Sequence, residues 1–197
     1  MSIRFKLHLR SKFGNGKTLH PNVPPLPPNK TVVDVFADFL EYLFACAASY
    51  IQDTHTNGRT LWNDLKDDIH FVLSHPNGWE GKEQSQLRQA AVKAKLVPNN
   101  ATGQSRISFV TEGEASLHFA IENGVLSQAT EVWGFLIIII NFVIMLLSFQ
   151  GEGIIIVDAG GGTIDISTYK RVSQEKTRVF EEIVMPECPL LNLNSAT

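Results

Sequence analysis

Residues 153–167 read GIIIVDAGGGTIDIS, in which the apolar run Ile154–Val157 leads into Asp158, then Gly160, Gly161, Gly162, Thr163 and Asp165. The apolar run suits a buried strand. Ile164, Ile166 and Tyr169 suit a second, so the stretch reads as strand, loop, strand. Three adjacent residues without Cβ permit positive φ, which lets successive backbone amides close around phosphate oxygens. Thr163 adds a hydroxyl at the loop's edge. Asp158 and Asp165 set two carboxylates beside the loop, placed to hold a hydrated Mg²⁺ or to orient an attacking water. A glycine run can also close a hairpin that binds nothing; the flanking carboxylates argue for the phosphate reading, because beside bound phosphates they need a cation between them.

Two other phosphate motifs are excluded. The chain holds no GxxxxGK[ST], and its glycines do not meet the GxGxxG spacing ahead of a long helix.

Upstream, apolar and polar segments alternate in a way that predicts an α/β fold. Residues 11–30 hold Gly14, Gly16 and four prolines within Val23–Pro28, a loop by composition whose PPLPP run also fits a proline-recognition groove. From Thr31 to about Thr54 apolar residues recur at Val32, Val35, Phe36, Phe39, Leu40, Leu43, Phe44, Ala47 and Ile51, which predicts a helix with one buried face. Asn29 or Thr31 would cap it, and Asn57-Gly58 would stop it. A short helix at Leu61–Asp67 and a strand at Ile69–Leu73 follow. His75-Pro76-Asn77-Gly78 is a turn, and Trp79–Lys95 a helix packing through Leu87, Ala90, Ala91 and Ala94. Ile107, Phe109 and Val110 predict a strand. Thr111–Asn123 predicts a helix with Ala115, Phe119 and Ala120 inward and Gly124 as its stop. Continuous apolar runs of this kind are typical of buried parallel strands.

Composition sets outer bounds. With 197 residues, 44% hydrophobic and 19% charged, the chain has enough apolar material for a core. A net charge of -3 and the lack of a dense Lys/Arg run argue against a nucleic-acid partner. Cys46 and Cys188 match no metal-ligand spacing, Cys46 reads as a packed small hydrophobe, and a reducing, cytoplasmic setting is the simplest expectation. The six histidines form no ligand pairing, and Trp62, Trp79 and Trp133 read as packing residues.

GIIIVDAGGGTIDIS resembles the second phosphate motif of the actin, hexokinase and heat-shock chaperone ATPase superfamily, most closely its seventy-kilodalton heat-shock chaperone branch. FVLSHPNGWEGKEQSQLRQAA, residues 71–91, is similar to the strand, proline turn and helix before that branch's interlobe crossing, with Pro76 in the place of its hinge proline. FVTEGEASL, residues 109–117, resembles the segment carrying the glutamate that senses nucleotide and metal, which implies that role for Glu112. Arg4-Phe-Lys-Leu resembles the stretch with the phosphate-contacting lysine, which implies Lys6. The implied fold is an incomplete actin-like, ribonuclease-H-like ATPase domain: parts of lobe I over 1–130 and the first hairpin of lobe II over 151–197. The implied ligands are ATP or ADP with Mg²⁺, with Asp158, Glu112 and Lys6 catalytic, Gly160, Gly161, Gly162 and Thr163 on the phosphates, and Asp158 and Asp165 on the metal. Family members work with cochaperones and client proteins, but these residues specify neither. The family's first phosphate loop, Asp-x-Gly-Thr, would lie upstream of Lys6 and its adenosine-binding lobe after Tyr169, so residues 1–197 are expected to show little or no turnover.

Between the two parts, residues 131–150 stand apart. VWGFLIIIINFVIMLLSF, residues 132–149, carries no charge and approaches the length of a membrane span. No nearby Lys or Arg would orient such a span, and crossing there would put two halves of one cleft on opposite sides of a bilayer. Three readings follow: a translated intron or aberrant insertion, a single span over 132–149 in a membrane-anchored, non-enzymatic protein with a relic loop, or a buried core helix.

Overall fold

The computed structural model describes residues 5–9, 23–123, 143–149, 153–159, 164–172 and 180–187. The fold is mixed α/β. The chain divides into two compact units, Met1–Leu73 with Trp79–Phe109, and Ser74–Gly78 with Val110–Thr197.

In the first unit a 3₁₀ turn, Phe5–His8, precedes α1 (Val32–Thr54) and α2 (Gly58–Leu65). Thr31 caps α1 through a reciprocal pair: its Oγ1 accepts from Asp34 N at 3.2 Å while its own N–H donates to Asp34 Oδ2 at 2.7 Å. Two of the four orphan donors at the helix start are thereby satisfied. The buried face of α1 meets α3 (Lys82–Lys93), where Ala90, Ala91 and Ala94 offer a small-residue surface to Ala37, Phe36 and Leu40. Leu87, Ala90, Ala91 and Ala94 are all buried, as their spacing predicts. Helix α3 begins three residues after Trp79, because Gly78 and Gly81 take positive φ of 75° and 48° and keep the intervening backbone out of the helix.

Two expectations for α1 change. Its second half is largely exposed, with Tyr42 at 63% and Tyr50 at 67%, and Cys46 is an exposed free thiol rather than a packed hydrophobe. Helical periodicity names a face but not what covers it. Asn57 also stands at the N-cap of α2 rather than acting only as a stop for α1. A short helix, α4 (Ala101–Ser105), capped by the Asn100 side chain on Gly103 N at 2.7 Å, has no counterpart in the sequence reading.

Strands β1 (Phe71–His75) and β2 (Ile107–Thr111) pair in a two-stranded sheet.

In the second unit α5 (Glu112–Glu122) packs on a sheet of β3 (Val143–Phe149), β4 (Gly153–Ala159), β5 (Ile164–Arg171) and β6 (Phe180–Glu187), in that spatial order. Each neighbouring pair in this sheet is antiparallel; for β4 and β5 this is the hairpin expected over 151–197, while the reading of apolar runs such as Ile154–Val157 as buried parallel strands is corrected. The physical reason is the length of the connections. Residues 150–152 and 160–163 suit hairpins, whereas a parallel crossover needs a dozen or more residues. Residues of α5 cover one face of β4 at Ile154 and Ile156, and pairing on both edges makes β4 a central strand.

The apolar segment 132–149 is also corrected in its described part. Val143–Phe149 is a strand paired with β4, so neither a helical span nor a core helix runs through those residues. Residues 132–142 lie outside the described set. Among the described residues no helix is long and apolar enough to cross a membrane.

Packing of α5 follows its caps. The Thr111 side chain accepts from Glu114 N at 3.1 Å, and Asn123 closes the helix ahead of Gly124, which lies outside the described residues. Leu117 and Ala120 are buried against Ile154, Ile156 and Tyr169, while Phe119, expected inward, is 51% exposed. Leu117 takes the inward position instead, three residues before Ala120 on the same helical face. Burial of Ile156, 0% exposed, contributes about 1.5–3 kcal/mol.

Candidate functional site

The antiparallel register of β4 and β5 decides the site. Ile154 lies opposite Tyr169, Ile156 opposite Ser167, and Asp158 opposite Asp165. These residues recur every second position and so share one face of the hairpin, the face beneath α5. Along that face the row runs from apolar to polar and ends in two carboxylates at the mouth of the 160–163 loop. Directly opposed residues in such a pair hold their Cβ atoms about 5 Å apart, and like charges there repel unless a cation or hydrogen-bond donors intervene. Gly160, Gly161, Gly162 and Thr163 themselves lie outside the described residues.

Asp165 is 1% exposed and its Oδ1 accepts from Asn77 N at 2.7 Å. That donor partly offsets the cost of burying a carboxylate. Asn77, itself 2% exposed, adds two more bonds from Nδ2, to Ile166 O at 3.2 Å and Ser167 Oγ at 3.0 Å. The turn that carries Pro76 is thus fixed to the strand that leaves the glycine loop, across 88 to 90 residues of sequence. Asn77 Oδ1 is buried and, among the described residues, accepts no hydrogen bond. An inserted water or ligand donor would satisfy it.

Helix α5 enters the same cluster at its first turn. Gly113, buried between Glu112 and Glu114, lies so close to β5 that a Cβ there would meet Ser167 Oγ at 2.1 Å and Ser167 Cβ at 2.9 Å. Only glycine allows this approach. Tyr169 is buried; burial, and then the Glu182 and Glu114 charges, push its hydroxyl above the ordinary tyrosine value. Asn77 thus joins the Pro76 turn to β5 through hydrogen bonds, and Gly113 brings the first turn of α5, where Glu112 is half-buried, against the same strand at Ser167.

Of the residues singled out from sequence, Asp158, Asp165, Glu112 and Pro76 fall within one unit. Lys6 belongs to the first unit, half-buried on the 3₁₀ turn. Asn77, Ser167, Gly113 and Tyr169 were not recognised as site residues. Ser167 ends the quoted motif and was the one most open to recognition, since period-2 alternation from Asp165 places it on the same face.

The two carboxylates suit Mg²⁺ better than a dedicated protein cage. Mg²⁺ keeps most of its water and takes one or two carboxylates plus phosphate oxygens. Among the described residues no group of three or more His, Cys, Asp or Glu side chains could hold a metal alone. Asp158 is half-buried where Asp165 is fully buried, so Asp158 is the carboxylate more open to a hydrated ion.

No family model, curated protein or solved structure matches the chain.

Proposed function

We propose that this chain carries the second phosphate loop, and the hinge-side residues that support it, of an actin-like ATPase of the seventy-kilodalton heat-shock chaperone kind. The observation that carries the reading is the opposition of Asp158 and Asp165 across the hairpin that presents Gly160–Thr163. In this reading the glycine amides and Thr163 grip the terminal phosphates of ATP or ADP, and Asp158 holds hydrated Mg²⁺. Asp165, held by Asn77 N–H, ties the metal site to the Pro76 turn. Glu112 reports on the site through Gly113 and Ser167. Lys6 is the lysine that the resemblance assigns to the phosphates.

Turnover by residues 1–197 is expected to be negligible. Phosphoryl transfer depends on charge and positioning from both sides of the phosphate, and the loop at 158–165 supplies one side. The function is then weak, Mg²⁺-dependent nucleotide binding. A cytoplasmic setting goes with that reading, since nucleotide is abundant there and the exposed Cys46 thiol stays reduced.

Titration calorimetry of the full chain with ADP, with Mg²⁺ and then with EDTA, tests this. The expected result is weak binding that needs Mg²⁺ and is lost in Asp158→Asn. Equal binding with EDTA, or in the variant, would remove the basis of the proposal. A steady Mg²⁺-dependent ATPase rate abolished by the same substitution would keep the site and overturn the expectation of negligible turnover.

A further inference from the structure

The first unit contains a cavity of about 450 Å³, whose construction owes nothing to the phosphate hairpin. Its wall is aromatic: Phe44 of α1 and Trp62 of α2 pack with ring centroids 5.2 Å apart. Val92 and Leu96, from the end of α3 and the residues after it, add apolar surface. Around this floor stand three cations, Lys66, Lys95 and Arg106, against one carboxylate, Asp67. That carboxylate does little to neutralise them, being 89% exposed and 3.9 Å from Lys66 Nζ. Arg106 donates through Nη1 to the Asp67 carbonyl, which fixes the guanidinium while leaving donors of its fork unspent. Among the described residues Lys95 has no ion-pair partner.

The backbone at Lys95 is the second observation. Helix α3 closes in a Schellman arrangement: Leu96 N–H reaches back to Ala91 O at 3.1 Å and Lys95 N–H to Val92 O at 3.0 Å. Such a closure places its central residue in the left-handed region, where glycine is favoured, yet here Lys95 adopts φ 59°. A residue with a Cβ is strained at this position, and what it supplies in return is a cation on the rim of the cavity.

We infer that this cavity is a binding site for a small anionic aromatic ligand, of the aryl carboxylate class, with its ring on Phe44 and Trp62 and its charge met by Lys95, Lys66 and Arg106. A volume of about 450 Å³ lies within the range of small-molecule sites, and a mostly apolar lining with a few convergent charges is their usual make-up. The three-to-one excess of cations selects the sign of the ligand. The aromatic wall selects its shape.

The test titrates the full chain with 2-naphthoate and with the uncharged 2-naphthamide, following binding by calorimetry. A charge-assisted contact predicts that naphthoate binds about tenfold more tightly than naphthamide. Lys95→Gly removes one of the three cations and relieves the backbone at once, so it is expected to reduce that preference while raising the melting temperature. Lys66→Gln should weaken naphthoate alone, with no loss of fold. Equal affinity for the two probes, or an undiminished preference for naphthoate in Lys95→Gly, would overturn the assignment.

Discussion

Replacing Gly113 with alanine would put a methyl carbon 2.1 Å from Ser167 Oγ, a distance that only a shift of α5 or β5 can relieve. Overpacking of this kind costs about 1–3 kcal/mol, and chemical denaturation of Gly113→Ala should show a loss in that range. Asn77→Ala removes the donors to Ile166 O and Ser167 Oγ while leaving the backbone bond to Asp165. Its expected cost is about 1–3 kcal/mol, the penalty for stranding buried acceptors. Lys95→Gly should go the other way and stabilise by about 1 kcal/mol, since the left-handed conformation penalises a Cβ. The carboxylates of the site were legible in the sequence because Asp158 and Asp165 flank the glycines directly. Asn77 was not, because in His75-Pro76-Asn77-Gly78 the turn alone accounts for an asparagine, and its partner lies 88 residues away. Gly113 was hidden for a similar reason: nothing around it in the sequence marks a close approach by β5.

Among elements, α1 shows how a local signal becomes a stable start. Thr31→Ala should cost about 1 kcal/mol by removing half of the reciprocal cap. Asp34 adds pH dependence. Hydrogen bonds from Lys93 and then Thr31 hold its carboxyl well below the usual carboxylate range. The folded state therefore binds this proton less tightly than the unfolded chain. The stabilisation is fully present above the ordinary carboxylate value and is lost as pH falls below it toward the depressed value. Asp34→Asn should lower the melting temperature at neutral pH and flatten its decline in acid. Glu182 on β6 has the opposite sign. Burial, and then the Glu114 charge, push its carboxyl up, so the folded state holds the proton more tightly and stability falls as pH rises from the ordinary carboxylate value through the raised one. Glu182→Gln should raise stability at neutral pH by at most about 0.5 kcal/mol, the side chain being exposed and screened, and should change nothing in strong acid. Helices α1, α3 and α5 and strands β4 and β5 were readable because each follows one period between clear turn signals. Strand β3 was not, since a long uncharged run has no period to separate helix from strand. Strand β6, with Glu181, Glu182 and Pro186 in its sequence, lacks the apolar run of a strand.

For the whole molecule, the sequence pointed to the mixed α/β class and to the β4–β5 hairpin but not to β3 and β6 on its two edges. The place of residues 131–150 follows from the same sheet. Strand β3 pairs with β4 along its full length, so joining Glu131 directly to Gly151 would bare an edge of the strand that leads into the phosphate loop. A chain with that deletion is expected to aggregate or to unfold at lower temperature, because an exposed apolar edge recruits other strands; a melting temperature equal to the parent's would show that β3 contributes nothing. Nucleotide binding at the loop between β4 and β5 is what the proposed function requires. It is tested most directly by amide NMR of glycine-labelled chain during titration with Mg²⁺ and ADP, with Gly160, Gly161 and Gly162 identified by single alanine substitutions. These three amides are expected to shift together, the shifts to vanish with EDTA, and Asp158→Asn to prevent them. Unmoved resonances for all three at saturating Mg²⁺ and ADP, in a chain whose other amides show it folded, would contradict it.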